Sequence, residues 1–249
     1  MKKSVVLLFA ITLTAATAIG CSSRKTAVNA QGQTVTGPKA EVLDRMQQSS
    51  KVLHDIMNAP DSEIPAEVLK SAKCVAIVPS MIKGGFVVGG QHGRGVATCR
   101  RPNAGWSAPA FFTLTGGSWG AQIGAEGVDL VMLIMNDEGM QQLMSNQFKV
   151  GASGSVAAGP VGRHAEASTD WKMSTGVLTY SRTRGLFAGL DLNGAVVKPD
   201  EDSTVAFYGK NVNFSDTLAG KVTTPAAAQT FLSSVRQAFR EAKQETAGF

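Results

Sequence analysis

The chain has 249 residues, of which 43% are apolar and 17% are charged, so it can bury a sizeable core and is not a charge-rich disordered chain. Its 24 basic and 19 acidic side chains give a formal net charge of +5, well below the dense positive charge of a typical nucleic-acid-binding protein. The 27 glycines indicate β-rich structure with close backbone approaches, and three cysteines are too few for a disulfide-built scaffold.

Residues 1–20 are predicted to be a lipoprotein signal peptide. A basic start at Lys2 and Lys3 precedes an uncharged apolar run that is too short for a membrane-spanning helix. The run ends in Gly20 and Cys21, which resembles a bacterial lipobox, with Ala18 where leucine is usual. We expect cleavage before Cys21 and acylation of its thiol, because several acyl chains anchor a protein stably. The alternative is an ordinary cleavage site with an incidental cysteine.

The segment after the lipidated cysteine is predicted to be a flexible tether, covering residues 21–39, because it is polar and almost without apolar pattern. Ser22 in place of aspartate favours the outer membrane over the inner membrane. We therefore expect a lipid-anchored outer-membrane protein whose folded domain, residues 40–249, faces the periplasm.

The first predicted element of the domain is a helix over residues 40–58, where apolar side chains follow one stripe and Pro60 ends the pattern. Its polar face is mixed, so packing on the core is favoured over lying in a membrane interface. A second short helix is predicted from Pro65 to Ala72, followed by a buried strand at residues 74–78.

The segment from Gly84 to Gly127 contains 12 glycines between short apolar segments, which predicts an antiparallel meander with glycines at turns, bulges and close strand contacts. The short apolar segments are Phe86–Val88, Gly95–Thr98 and Ala110–Leu114. Residues 128–135 are predicted to form a central strand, and Asp137 to open a short helix.

The remaining predicted strands cover residues 148–158, 164–171, 175–183 and 186–197, and a terminal helix follows Thr224 and Pro225. The fold class is therefore α+β: a single domain with a curved antiparallel β-sheet or barrel-like meander, packed by N- and C-terminal helices.

Four blocks of sequence, in order, resemble the SYLF domain family. The blocks are Lys83-Gly84-Gly85-Phe86 with Gly93-Arg94-Gly95, Trp106-Ser107-Ala108-Pro109-Ala110-Phe111, Gly159-Pro160-Val161-Gly162-Arg163, and Tyr180-Ser181-Arg182-Thr183-Arg184-Gly185-Leu186-Phe187-Ala188-Gly189. The chain departs from the family at Gln91 and His92, where Ser-Tyr is common, and has Arg94 where lysine is frequent.

The resemblance implies membrane binding without catalysis. Eukaryotic members of the family bind phosphoinositide membranes, partly through an amphipathic N-terminal helix, and some bind actin filaments. Actin binding is not expected for a periplasmic lipoprotein. Bacterial members are mostly small envelope proteins, and no enzymatic activity is implied.

Motifs for catalysis, metals or cofactors are not found in the sequence. The three histidines, His54, His92 and His164, have no metal-ligand spacing, and no nucleophile elbow or phosphate loop is present. His164, Glu166 and Asp170 are better explained as a solvated strand face than as acid and base groups. We expect a protein that is not an enzyme and has no cofactor.

A set of cationic residues is the predicted lipid-binding site, because arginine and lysine suit lipid phosphates and no acidic residue lies between Glu67 and Glu126. An ordinary solvated surface is the equal alternative. The set comprises Lys83, Arg94, Arg100, Arg101, Arg163, Arg182 and Arg184.

The two cysteines that remain after acylation, Cys74 and Cys99, are predicted to form a disulfide, because the periplasm is oxidising and both are expected on neighbouring strands. Two buried thiols too far apart to bond are the alternative.

The predicted function is a non-catalytic module of the cell envelope that binds anionic phospholipid or a membrane surface and no nucleic acid. The alternative is a structural envelope protein that binds another protein or the cell wall and has no lipid site. The sequence does not define the oligomeric state.

Overall fold

The computed structural model describes residues 26–28, 34–58, 64–102, 105–145, 147–150, 156–160, 175–183, 186–187, 192 and 194–245. These residues form one α+β domain in which helices cover both faces of a curled, half-barrel sheet, and the predicted fold class is confirmed.

Two long strands dominate the main sheet, while a separate pair of short strands precedes the first helix. In chain order the strands are β1 (Thr26–Val28), β2 (Thr34–Thr36), β3 (Cys74–Arg101), β4 (Gly105–Trp106), β5 (Ala110–Ile134), β6 (Phe148–Lys149), β7 (Val156–Ala158), β8 (Val177–Thr183), β9 (Leu186–Phe187) and β10 (Val196–Pro199). Antiparallel pairing links β4, β3, β5, β10 and β6 in that order, and β8 joins the other end of β5.

Strand β3 doubles back on itself, and β5 follows both halves. The β3–β5 ladder runs from the pair Cys74–Ile134 to the pair Ala97–Ala110. Yet the Cα atoms of Cys74 and Cys99 are only 4.0 Å apart, and the two residues form a disulfide. The two ends of β3 therefore lie side by side, with the disulfide joining them.

Glycine permits the close approach of the two halves of β3. A Cβ atom at Gly95 would lie 2.7 Å from the carbonyl oxygen of Ile77 and would also collide with the ring of Phe112. Such a side chain cannot be accommodated without moving backbone, so the predicted role of glycine at close strand contacts is confirmed at this position.

The helices lie on the two faces of the sheet. They are α1 (Pro38–Met57), α2 (Ala66–Ser71), α3 (Asp137–Met144), α4 (Glu201–Tyr208), α5 (Phe214–Leu218) and α6 (Gln229–Glu245), and a 3-10 turn at Ala226–Ala228 precedes α6. Helix α1 buries its stripe of Val42, Met46 and Leu53 against the core, as the spacing predicted.

Side chains alternate between the two faces along each strand, so the sheet separates two cores. Val75, Val96 and Phe111 lie on one face, here called the α1 face, and pack under α1, α2 and α6. The disulfide and Phe112 lie on the opposite face, here called the disulfide face, with α3 and α5. Both faces are buried at the centre of the sheet, which explains why β3 and β5 are rich in apolar residues.

Three sequence predictions need correction. The short apolar segments of the glycine-rich region are not separate strands, because they belong to the continuous strands β3 and β5. Part of the predicted tether is paired: β1 and β2 form a ladder, and Ala27 is buried against the core, so residues 26–28 and 34–36 are not a flexible linker. The third correction adds the helices α4 and α5, which were not predicted from the sequence.

Other predicted elements match or lie outside the described residues. The strand at residues 74–78, the central strand at 128–135 and the helix opened by Asp137 are confirmed within one residue or as parts of longer strands. The predicted strand at 164–171 and the signal peptide lie outside the described residues, as does Cys21.

Candidate functional site

Five of the seven cations predicted to bind lipid lie within the described residues, and they are spread over separate parts of the fold. They are Lys83, Arg94, Arg100, Arg101 and Arg182; Arg163 and Arg184 lie outside the described residues.

Arg94, on the α1 face of β3, is held by a buried carboxylate. Its Nε donates to Oδ2 of Asp200 at 3.0 Å and its Nη2 to Oδ1 at 3.3 Å. Arg45 of α1 donates to the same carboxylate at 3.3 Å and to the hydroxyl of Ser203 at 3.1 Å. Glu41, in the first turn of α1, lies 3.9 Å from Arg94. One carboxylate therefore joins the sheet, α1 and α4.

Asp200 also caps helix α4, since its Oδ1 accepts from the backbone N–H of Ser203 at 3.0 Å. Burial would raise the pKa of Asp200, but hydrogen bonds from Ser203 and Arg94 and the charge of Arg94 outweigh burial and lower it. Burial, followed by the charge of Arg94, lowers the pKa of Arg45. The cluster stays ionised at neutral pH and carries two cations around one central anion.

Arg182 of β8 lies at the other end of α1. Its Nη1 is 3.5 Å from the carboxylate of Asp55, near the helix C-terminus. Because Glu41 and Asp55 lie near opposite ends of α1, Arg94 and Arg182 are separated by about 20 Å along the helix axis. Each arginine ties one end of the helix to the sheet.

Arg100 is half-buried between aromatic rings. Its guanidinium carbon lies 5.5 Å from the ring centre of Trp106 and 4.9 Å from that of Phe239 in α6. Its Nη2 donates to the carbonyl oxygen of Leu69, at the end of α2, at 3.2 Å. Burial lowers the pKa of Arg100. This cation fastens α2 and α6 to the end of β3 through ring faces and a carbonyl.

The last two cations of the set lie elsewhere again. Arg101 is exposed, and its Cγ would be 3.1 Å from a Cβ placed at Gly220. Lys83 is half-exposed and stands directly opposite Glu126 in the β3–β5 ladder. The segment without acidic residues still has acidic neighbours in the folded chain. Carboxylates that are distant in sequence face Arg94, Arg182 and Lys83.

An exposed apolar side chain lies next to Lys83. Ile82 is 60% exposed, the largest exposure among the large apolar side chains of the described residues. Its neighbour Met81 is buried on the disulfide face, so Ile82 points to the α1 face. Composition gave no sign of this exposure, because isoleucine is typical of buried strand positions.

Among the described residues, no group of histidine, cysteine, aspartate and glutamate side chains is arranged to hold a metal ion. Of the histidines, His54 and His92 are exposed and far apart in the fold, and His164 lies outside the described residues. Within the described part of the chain, no helix has the length and apolar character needed to span a membrane.

The residues that sequence reasoning missed are the partners of the cations. Asp200 and Asn213 each precede a short helix and accept from its first backbone N–H groups, a pattern that is visible in the sequence as a helix start. Arg45 carried no signal, since it interrupts the apolar stripe of α1 as a charged side chain and is buried only because Asp200 meets it.

Comparison with known proteins identifies the family. A family model described as Ysc84, Las17-binding protein actin regulator, matches residues 115–238. The SH3 domain-containing YSC84-like protein 1 of Rattus norvegicus is 36% identical over 192 residues, which cover 77% of this chain and 56% of the relative. Protein YSC84 of Saccharomyces cerevisiae is 36% identical over 177 residues, which cover 69% of this chain and 37% of the relative.

A third relative, LAS seventeen-binding protein 3 of Saccharomyces cerevisiae, is 33% identical over 170 residues. The chain spans little more than half, or less, of the length of the curated relatives it matches. The four motif blocks, the α+β fold and these matches agree, and the chain belongs to the Ysc84 family, the family of the SYLF domain.

Proposed function

We propose that this chain is a non-catalytic module of the bacterial cell envelope that binds the surface of an anionic phospholipid membrane. In this proposal acylated Cys21 anchors the protein in the outer membrane, and the SYLF domain in the periplasm makes its own contact with lipid.

The observation that carries the proposal is the exposure of Ile82. An isoleucine that is 60% exposed on a sheet whose centre is buried on both faces loses the free energy that its burial would provide. Insertion among lipid headgroups and the first acyl carbons recovers that free energy.

The short connection to the anchor supports the same function. Strand β1 begins at Thr26, and its Ala27 is buried against the core that includes α1. The five residues from Cys21 to Thr26 span at most about 18 Å when fully extended. An acylated Cys21 would therefore hold the folded domain directly against the membrane, which raises the local lipid concentration that weak contacts experience.

The test uses residues 21–249 with Cys21→Ser, a chain that cannot be acylated and contains every described element. The protein is sedimented with vesicles of phosphatidylcholine alone, or of equal parts phosphatidylcholine and phosphatidylglycerol. We expect pelleting with the anionic vesicles only, and weaker pelleting as salt rises, because exposed charges are screened.

The matched variants are Ile82→Asp and Val205→Asp. Val205 is 45% exposed on α4, so the second variant places the same charge on another exposed apolar position. We expect Ile82→Asp to reduce binding at least tenfold and Val205→Asp to leave it within a factor of about two. Absence of binding to anionic vesicles, or equal binding to both vesicle types, would contradict the proposed function.

A further inference from the structure

A polar strip of the sheet extends beyond the helices on the α1 face. Pairing places Lys149, Val196, Thr115 and His92 side by side across four neighbouring strand segments. The next row on the same face contains Lys198 and Thr113, followed by Arg94. We call His92, Thr113, Thr115, Lys149 and Lys198 the polar ledge.

Alternation along the strands fixes the direction of the ledge. Val197 and Leu114 are buried on the disulfide face, so their strand neighbours point to the α1 face. Lys149 shares the face of Val196, with which it is paired. Four ledge residues are exposed: His92, Thr115, Lys149 and Lys198. Thr113 is partly buried. The ledge is therefore an open surface that continues the α1 face past the point where α1 and α4 cover it.

Among the described residues, no carboxylate lies within ion-pair distance of either lysine of the ledge, Lys149 or Lys198. Arg94 and Arg182, in contrast, each form an ion pair. The carboxylate of Asp200, two residues after Lys198, is taken up by Arg45, Arg94 and Ser203. Lys149 and Lys198 are diagonal neighbours, with Cβ atoms about 7–8 Å apart, so both ammonium groups can reach one phosphate.

The centre of the ledge offers groups that donate hydrogen bonds. Nδ1 of His92 lies 3.1 Å from Oγ1 of Thr115, which links two neighbouring strands at the surface. Hydroxyl and imidazole groups beside two ammonium groups match the oxygens of a phosphodiester.

Ile82 identifies a membrane as the occupant. It points to the same α1 face as the ledge. Its neighbour Met81 packs against Gly93, where an added Cβ would lie 3.0 Å from the Met81 side chain, and Gly93 follows His92 of the ledge. Ile82 therefore lies at the border of the ledge. A surface that combines unpaired lysines with an exposed isoleucine fits the zone where lipid phosphates meet acyl chains.

We propose that the polar ledge is the surface on which this domain docks phospholipid headgroups, with Lys149 and Lys198 as the main phosphate contacts. This inference rests on the proposed function and adds residues that no prediction from the sequence named. The arginines held by Asp200, Asp55 and the Trp106 ring then serve the fold, while the lysines of the ledge serve binding.

The test is a charge reversal on residues 21–249 with Cys21→Ser, sedimented with vesicles of equal parts phosphatidylcholine and phosphatidylglycerol. The ledge variant is Lys149→Glu with Lys198→Glu. The matched control is Lys210→Glu with Arg240→Glu, which changes the net charge equally at exposed positions elsewhere. Each cation contributes about a fivefold gain in affinity at an anionic surface, so we expect the ledge variant to bind at least 25-fold more weakly and the control less than fivefold.

A second variant, Thr115→Asp, adds a negative charge at the centre of the ledge without removing a cation. It is expected to weaken binding by about fivefold, and thermal unfolding at the parent temperature would show that the exposed substitution leaves the fold intact. Equal weakening in the ledge and control variants would overturn the ledge while the proposed function stands. If the parent chain does not bind anionic vesicles, both proposals fail.

Discussion

Arg94 and Arg100 lie on the same face of the same strand, on either side of the core residue Val96, and the two guanidinium groups have different kinds of partner. Arg94 meets a carboxylate that is 106 residues away in sequence, and the contact is a pair of charge-assisted hydrogen bonds. Arg100 meets two ring faces and one carbonyl oxygen, without any carboxylate among the described residues. We call these places the carboxylate site and the aromatic site.

The difference shows how the effect of an arginine on stability, at the edge of a core, depends on the kind of partner it has. At the carboxylate site the buried charges depend on each other, so the loss of the central anion leaves two cations with only the exposed Glu41 near Arg94. At the aromatic site the cation keeps contact with solvent and gains a modest attraction from the rings. Its loss removes these contacts and leaves no buried charge without a partner. The two sites should therefore respond differently to substitution, to loss of the disulfide and to pH.

Asp200→Ala tests the carboxylate site and should have the largest effect. Asp200 is 5% exposed and Arg45 is 7% exposed, so removal of the carboxylate leaves a buried guanidinium without its partner. We expect the free energy of unfolding to fall by about 3–5 kcal/mol, measured by urea denaturation. Asp202→Ala, at an exposed position in the first turn of α4, is the control and should cost less than about 1 kcal/mol. Equal losses in both variants would show that the carboxylate site does not stabilise the fold.

Loss of the disulfide should act on the aromatic site more than on the carboxylate site. Cys99 precedes Arg100, and the bridge to Cys74 holds the end of β3 where Trp106 and Phe239 receive that arginine. The bridge closes a loop with a sequence separation of 25, so Cys74→Ala with Cys99→Ala should lower the free energy of unfolding by about 3 kcal/mol.

The disulfide itself is checked by mass spectrometry of protein that is purified without reductant and then alkylated. Alkylated thiols at both Cys74 and Cys99 would contradict the bridge.

The fluorescence of Trp106 should change in the double variant, since the ring loses its fixed neighbours. Because Trp119 and Trp171 also contribute, the change is measured against the same variant carrying Trp106→Phe.

Arg100→Met tests the aromatic site directly. Methionine keeps the apolar stem among the rings but removes the charge and the hydrogen bond to Leu69. The loss should be about 1–2 kcal/mol, from two cation–π contacts and one hydrogen bond, measured by urea denaturation. Arg236→Met, on the exposed side of α6, is the matched control and should change stability by less than about 0.5 kcal/mol. A loss as large as that of Asp200→Ala would mean that the two sites do not differ in kind.

Local pattern predicted the elements whose burial depends on periodicity. The apolar stripe of α1 and the β-branched run at residues 74–78 were visible because helices and strands repeat every few residues. The short helices α4 and α5 show no clear apolar stripe, and only their capping residues, Asp200 and Asn213, mark them in the sequence.

The contacts of the candidate site depend on tertiary structure and were beyond reach of the sequence. A run without acidic residues suggested a cationic surface, but the fold brings Asp200 to Arg94 and Asp55 to Arg182 from distant parts of the chain. In the same way, the pairing of β5 with β3 and β10, and of β10 with β6, creates the polar ledge from residues that carry no signal singly. The identity of the cations was visible, and their partners were not.

The smallest expected effect is on the pH dependence of stability, which should differ between the carboxylate site and the aromatic site. The pKa of Asp200 is lower in the folded protein than its ordinary value near 4, because the hydrogen bonds and the charge of Arg94 outweigh burial. A carboxylate with a lowered folded pKa contributes stability that is fully present above the unfolded pKa and is lost as pH falls through the folded value. Stability should therefore decrease below about pH 4.

The variants assign this acid loss to a site. The Asp200→Asn chain keeps a capping oxygen but cannot titrate, so its free energy of unfolding should fall less steeply below about pH 4 than that of the parent. Arg100→Met should keep the parent slope, because the aromatic site contains no group that titrates in this range. Asp55, whose pKa is also lowered in the folded state, accounts for part of the slope that remains in Asp200→Asn. Urea denaturation across this pH range measures all three chains, and an unchanged slope in Asp200→Asn would place the acid-sensitive contacts outside the carboxylate site.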